Sequence, residues 1–157
     1  MAVLEVSASA DSVDHADVDD ALAEFQGQLN LIFARAQTLW RESAARVHRD
    51  LQPAGYKLLT FVERAGSASA HQLADSFEMD KSVVSRQVRM LEEVGLLVSR
   101  PDECDGRLRV LTATPAASAA LAEVRSDHAT RMRDALTEMT PEELRTASKV
   151  FRILAEV

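Results

Sequence analysis

One cysteine, Cys104, stands in a chain of 157 residues, so no internal disulfide can staple the fold. A lone thiol fits a reducing compartment, and the cytoplasm is the expected location. The fold must then rest on a buried apolar core, which a chain of this length can build. No uninterrupted apolar run nears the roughly 18 residues of a membrane span, so no membrane association is expected. The N-terminus lacks a basic stretch followed by an apolar core, so no signal peptide is expected. Only five Gly, four Pro and seven aromatic residues interrupt a sequence rich in Ala, Leu, Val, Arg and Glu. That balance favours a single, mostly helical domain.

Basic residues are missing from one place in particular. Positions 1–24 hold seven acids and neither Lys nor Arg. The whole net charge of −7 resides there, because the other 133 residues carry 18 acids and 18 bases. A neutral body can still present a local basic face, which a global sum hides. Residues 1–16, small, polar and acidic, are read as a disordered tail.

From 17 to 49 apolar residues recur at three- and four-residue steps: Leu22, Phe25, Leu29, Ile32, Phe33, Ala36, Leu39, Trp40 and Val47. This is one long amphipathic helix whose stripe is too broad for a lone surface helix. It should pack on several partners or on a second subunit. Pro53 opens the next helix and Gly66 closes it. Ser69 can cap a short helix over 70–77, and Asp80 another over 81–93, which Gly95 stops. The runs Leu96–Arg100 and Arg107–Leu111 are β-prone and flank a polar tip, giving a hairpin. Thr114-Pro115 begins a long helix. Thr140-Pro141-Glu142-Glu143 has capping-box spacing and begins the last helix, which should bury Leu144, Val150, Phe151 and Leu154.

The helix over 81–93 carries the chemistry. With Val83, Val84, Val88 and Leu91 inward, Lys81, Ser82, Ser85, Arg86 and Arg89 share the outer surface. Such a helix suits the major groove of DNA, where arginine offers a fork to guanine and Gln87 could pair with adenine. Lys81 and the serines suit phosphate oxygens near the helix N-terminus. The hairpin behind it carries Asp105-Gly106-Arg107 at its tip. Arg107 suits the narrow, electronegative minor groove, and Asp105 would orient it. Arg100 and Arg109 flank the strands and could touch the DNA backbone. Double-stranded DNA is therefore the expected partner.

The stretch SVVSRQVRMLEEVGLLVSRPDECDGRLRVLTATP, residues 82–115, resembles the winged helix-turn-helix of the MarR family of bacterial regulators. The matching features are Ser85-Arg86, Leu91-Glu92-Glu93 running into Gly95-Leu96-Leu97, and above all Asp105-x-Arg107 followed by Thr114. Ala113 and Ala117 depart from the Leu and Gly that the family often has there. The resemblance implies a mainly α winged helix-turn-helix with a two-stranded β wing and N- and C-terminal dimerisation helices. The DNA-binding region would be 53–113 and the dimerisation helices 17–52 and 114–157. It further implies a homodimer that binds a pseudo-palindrome, usually as a repressor, and is released by a small-molecule effector or an oxidant. The effector pocket of such proteins lies between the dimerisation helices and the winged domain, which makes Trp40, His48 and Tyr56 its candidates here.

The histidines, His15, His48, His71 and His128, are not paired at ligand spacing, so no metal or other cofactor is expected. No nucleophile–base arrangement or Gly-rich phosphate loop is visible, and an enzyme is not expected. Two alternatives stay open. The winged helix could be a protein–protein interaction module, or Cys104, beside Arg100, Arg107 and Arg109, could make the regulator redox-responsive.

Overall fold

A computed structural model describes residues 8–106 and 108–156. The element order is α1 (Ala8–Val47), α2 (Pro53–Ala65), β1 (Ala68–Ser69), α3 (Ala70–Phe77), α4 (Lys81–Glu93), β2 (Leu97–Pro101), β3 (Arg109–Ala113), α5 (Pro115–Ala135) and α6 (Pro141–Leu154). The chain divides into two compact units within α2, one running to Tyr56 and one from Lys57 onward.

The first unit is dominated by α1. At 40 residues it extends on the order of 60 Å, from 1.5 Å per residue. It begins at Ala8, so the expected disordered tail of 1–16 is corrected: residues 8–16 are helical, and 1–7 lie outside the described residues. Near its C-terminal end Ser43 and Ala44 are buried. Leu51 is buried too, held in a tight turn by its N–H bond to the His48 carbonyl at 2.9 Å.

In the second unit the core is aliphatic. Leu58, Leu59 and Val62 of α2, Leu73 of α3, Val84 and Leu91 of α4, Leu97 of β2, Leu111 of β3, and Leu121 and Val124 of α5 are all buried. Phe61 meets Phe77 edge-on at 5.6 Å between ring centroids, a favourable aromatic geometry. Each such leucine contributes roughly 1.5–3 kcal/mol when removed from water.

Local signals set the boundaries. Gly66 and Gly95 adopt φ of 79° and 73°, a left-handed conformation that costs other residues. Ser69 caps α3 through a full capping box, its hydroxyl accepting from Gln72 N–H and its own N–H donating to Gln72 Oε1. The α3–α4 turn is made by Glu78 in the left-handed region (φ 50°), with Met79 N–H reaching back to the Ala74 carbonyl at 3.0 Å. Thr114 caps α5 and donates its hydroxyl to the Gly95 carbonyl at 2.8 Å. Thr140 and Glu143 form the expected capping box on α6.

Three expectations change. The sheet has three strands in the order β1-β3-β2, all antiparallel. The third strand is only Ala68–Ser69, too short to leave a periodic signature. Asp80 precedes α4 but makes no side-chain capping bond; its backbone carbonyl accepts from Val83 and Val84 instead. Finally, α6 buries none of its residues: Leu144 and Val150 are half-buried, and Phe151 and Leu154 are exposed. Its pattern is amphipathic, but among the described residues nothing buries the apolar face.

Candidate nucleic-acid interface

The outer face of α4 follows from its inner one. Val84, Val88 and Leu91 are buried, which leaves Lys81, Ser82, Ser85, Arg86 and Arg89 exposed together. Gln87 does not join them. It is half-buried, and its Oε1 is inaccessible and without a hydrogen-bond partner. Its position beside Val83, Val84 and Val88 puts it on the flank of the buried stripe, apart from the five exposed residues.

The hairpin extends this face. Register pairs Leu97 with Ala113, Ser99 with Leu111 and Pro101 with Arg109, so these residues share one side of the ribbon. Arg109 is exposed yet ordered: its Nε donates to Ser99 Oγ at 2.7 Å and its Nη2 to the Ser99 carbonyl at 2.9 Å. Arg100 pairs with Val110 and belongs to the opposite side. The two flanking arginines are therefore separated.

Two concavities meet on this surface. One lies among Ala70, His71, Lys81 and Ser85. The other, of about 250 Å³, is walled by Ser85, Val88, Arg89 and Glu92 of α4 and by Ser99, Arg109 and Leu111 of the wing. Ala70 and Ser85 border both, so a furrow runs from Lys81 to Arg109. His71, paired with Asp75 at 3.2 Å, also borders it. Sequence reasoning weighed this histidine only as a metal ligand; its place one residue into α3 was the available signal.

At the wing tip Asp102 accepts the N–H groups of Cys104 and Asp105, at 2.8 and 2.9 Å. Those bonds, Asp105's foremost, hold its carboxyl below the usual carboxylate range. Asp102 N–H bonds the Leu108 carbonyl and Leu108 N–H the Asp105 carbonyl, both at 2.9 Å. Cys104 is exposed on this turn. Arg107 lies outside the described residues.

The candidate effector residues fall in the first unit. Trp40 is exposed, His48 and Tyr56 are half-buried, and His48 Nδ1 accepts from Asp50 N–H at 3.2 Å. Among the described residues no group of three or more His, Cys, Asp or Glu is placed to hold a metal ion. Nor is any described helix long and apolar enough to cross a membrane.

Residues 49–108 match the model of the MarR family. A Bacillus subtilis (strain 168) protein named as an uncharacterized HTH-type transcriptional regulator, YxaD, is 37% identical over 65 residues, 41% of this chain. The chain covers 46% of that relative's length. The solved structure of YusO from Bacillus subtilis shares the fold at TM-score 0.69 and 24% identity, over 88% of this chain and 97% of that one. That of Streptococcus pneumoniae FabT in complex with DNA shares it at TM-score 0.75 and 15% identity, over 86% and 95%.

Proposed function

We propose that this chain, whose residues 49–108 match the MarR family model, is a DNA-binding transcriptional regulator of that family acting as a cytoplasmic homodimer. The observation that carries the reading is the furrow from Lys81 to Arg109, in which α4 and the wing bring hydroxyls and guanidinium groups onto one surface. Lys81, Ser82, Ser85, Arg86 and Arg89 engage the major groove, Arg86 reading base edges and Lys81 and the serines holding phosphates. Arg107, oriented by Asp105, enters the flanking minor groove. The FabT structure, which shares the fold, is a complex with DNA, and this supports DNA as the partner. A regulator rather than an enzyme is also what the name of the curated relative suggests.

Dimerisation is supported by two exposed apolar faces. On α1, Val18, Leu22, Phe25 and Ile32, spaced along one face, are 37–59% exposed, and on α6, Phe151 and Leu154 are 54% and 37% exposed. Such surfaces are unfavourable in water and mark association sites. In a two-fold dimer the recognition helices would sit about one duplex turn, roughly 34 Å, apart and read a pseudo-palindrome. A small-molecule effector that alters this spacing would release DNA and relieve repression. Trp40, His48 and Tyr56 are the residues assigned to its pocket.

The test compares variants on the operator and on random duplexes. Arg86→Ala should cost on the order of 1–3 kcal/mol on the operator and little on random DNA. Equal losses on both would make Arg86 a phosphate contact. Arg107→Ala should weaken operator binding with the dimer intact, and unchanged affinity would remove the wing from the interface. A Cys104→Ser variant with an unchanged response to peroxide would dismiss the redox alternative.

A further inference from the structure

The inner side of the hairpin changes character along its length. At its base Leu97 and Leu111 are buried against the core. One step further out the same side becomes polar, with Ser99 on β2 diagonal to Arg109 on β3. Two bonds to this one residue, through its hydroxyl and its carbonyl, fix the plane of the Arg109 guanidinium. They use two of the five N–H donors that a guanidinium carries.

Ser99 and Arg109 together form the wing wall of the 250 Å³ cleft whose other wall is Ser85, Arg89 and Glu92 of α4. Where a recognition helix occupies a major groove and a wing the adjacent minor groove, one sugar–phosphate strand must pass between them. The cleft between α4 and the wing is the candidate for that passage, and two arginines and two serine hydroxyls line it.

Resting on the DNA-binding reading, we propose that this cleft seats a single backbone phosphate of the duplex. Arg109 is the contact, and Ser99 is a positioning residue that sets the arginine before DNA arrives. A guanidinium held in advance loses less freedom on binding than one that must be ordered then. Glu92, on the helix wall three residues beyond Arg89, opposes the phosphate and tempers the affinity of the seat.

The experiment measures binding of the full-length chain to its selected operator and to a random duplex by fluorescence anisotropy across a salt series. Thermal melts of each variant confirm folding. Arg109→Ala should weaken both duplexes alike, by about tenfold, and reduce the slope of log K against log salt by about 0.9 per protomer. Arg109→Lys should keep the slope and lose part of the affinity. Ser99→Ala should weaken binding about threefold, an effect of the size of one lost hydrogen bond, and Ser99→Thr should restore it. Glu92→Gln should tighten both duplexes.

The decisive arm combines Ser99→Ala with Arg109→Ala. No loss beyond that of Arg109→Ala alone establishes that Ser99 acts through the arginine. An equal loss in both backgrounds makes Ser99 structural and overturns its role. An unchanged salt slope in Arg109→Ala overturns the phosphate seat while leaving the regulator reading intact. Absence of salt-dependent binding by the unaltered chain overturns both.

Discussion

Replacing Thr114 by alanine should cost more than its exposure suggests, because one hydroxyl serves two elements. Its Oγ1 accepts from Ala117 N–H at 3.2 Å, capping α5, and donates to the Gly95 carbonyl at 2.8 Å, tying the end of α4 to the start of α5. Loss of an N-cap costs about 1 kcal/mol, and loss of a neutral hydrogen bond about another 1 kcal/mol. The Thr114 backbone N–H to the Leu96 carbonyl, at 3.1 Å, is untouched by the change. The expected loss is therefore about 2 kcal/mol, or about 4–8 °C in Tm for a chain of this size. Thr114→Ser keeps both bonds and should stay within about 0.5 kcal/mol of the parent, as a conservative surface change does. Urea titration and thermal melts of the two variants provide the assay. A Thr114→Ala variant that melts with the parent, or a serine variant as damaged as the alanine one, would refute the double role.

Gly95→Ala and Gly66→Ala should each cost about 1–2 kcal/mol from the left-handed backbone alone, since an added Cβ meets nothing within 4 Å at either position. Larger losses by denaturation would point to crowding that the structure does not contain. Gln87→Met should raise stability by about 1 kcal/mol or more, by removing a buried unbonded oxygen; a lower Tm would contradict that. Acid should loosen the wing turn and the start of α6. Asp102 is held low by the N–H groups of Asp105 and Cys104, and Glu143 by the backbone N–H and hydroxyl of Thr140. Both folded values lie below the ordinary ones near 4. Each contribution is thus present above that pH and is lost as pH falls through the lowered value. Melts between pH 6 and 2 should decline less steeply in Asp102→Asn and Glu143→Gln than in the parent. Ile32→Asp and Phe151→Asp should shift the chain to monomers in light scattering; unchanged mass would place the dimer contact elsewhere.

The winged helix was legible in the sequence because its signals are local. Pro53, Gly66, Ser69, Gly95, Thr114 and Thr140 each mark an element end through capping or backbone conformation. The spacing of Val84, Val88 and Leu91 set the outward face of α4 in the same way. What escaped was non-local or too short for a period. Strand β1 exists because two residues pair with β3. The grip of Ser99 on Arg109 depends on register across the hairpin, and the inward turn of Gln87 on packing at the edge of a stripe. The exposure of Phe151 shows the opposite limit: an amphipathic pattern states that a face wants cover but not which chain supplies it.

The most direct test of the central claim is selection of bound duplexes from a random DNA library by the full-length chain, followed by a salt titration on the enriched sequence. A DNA-binding dimer should select a two-fold palindrome with half-sites about one helical turn apart and bind it with affinity that falls steeply with salt. No enrichment, with the dimer intact and no steep salt dependence, would contradict that claim.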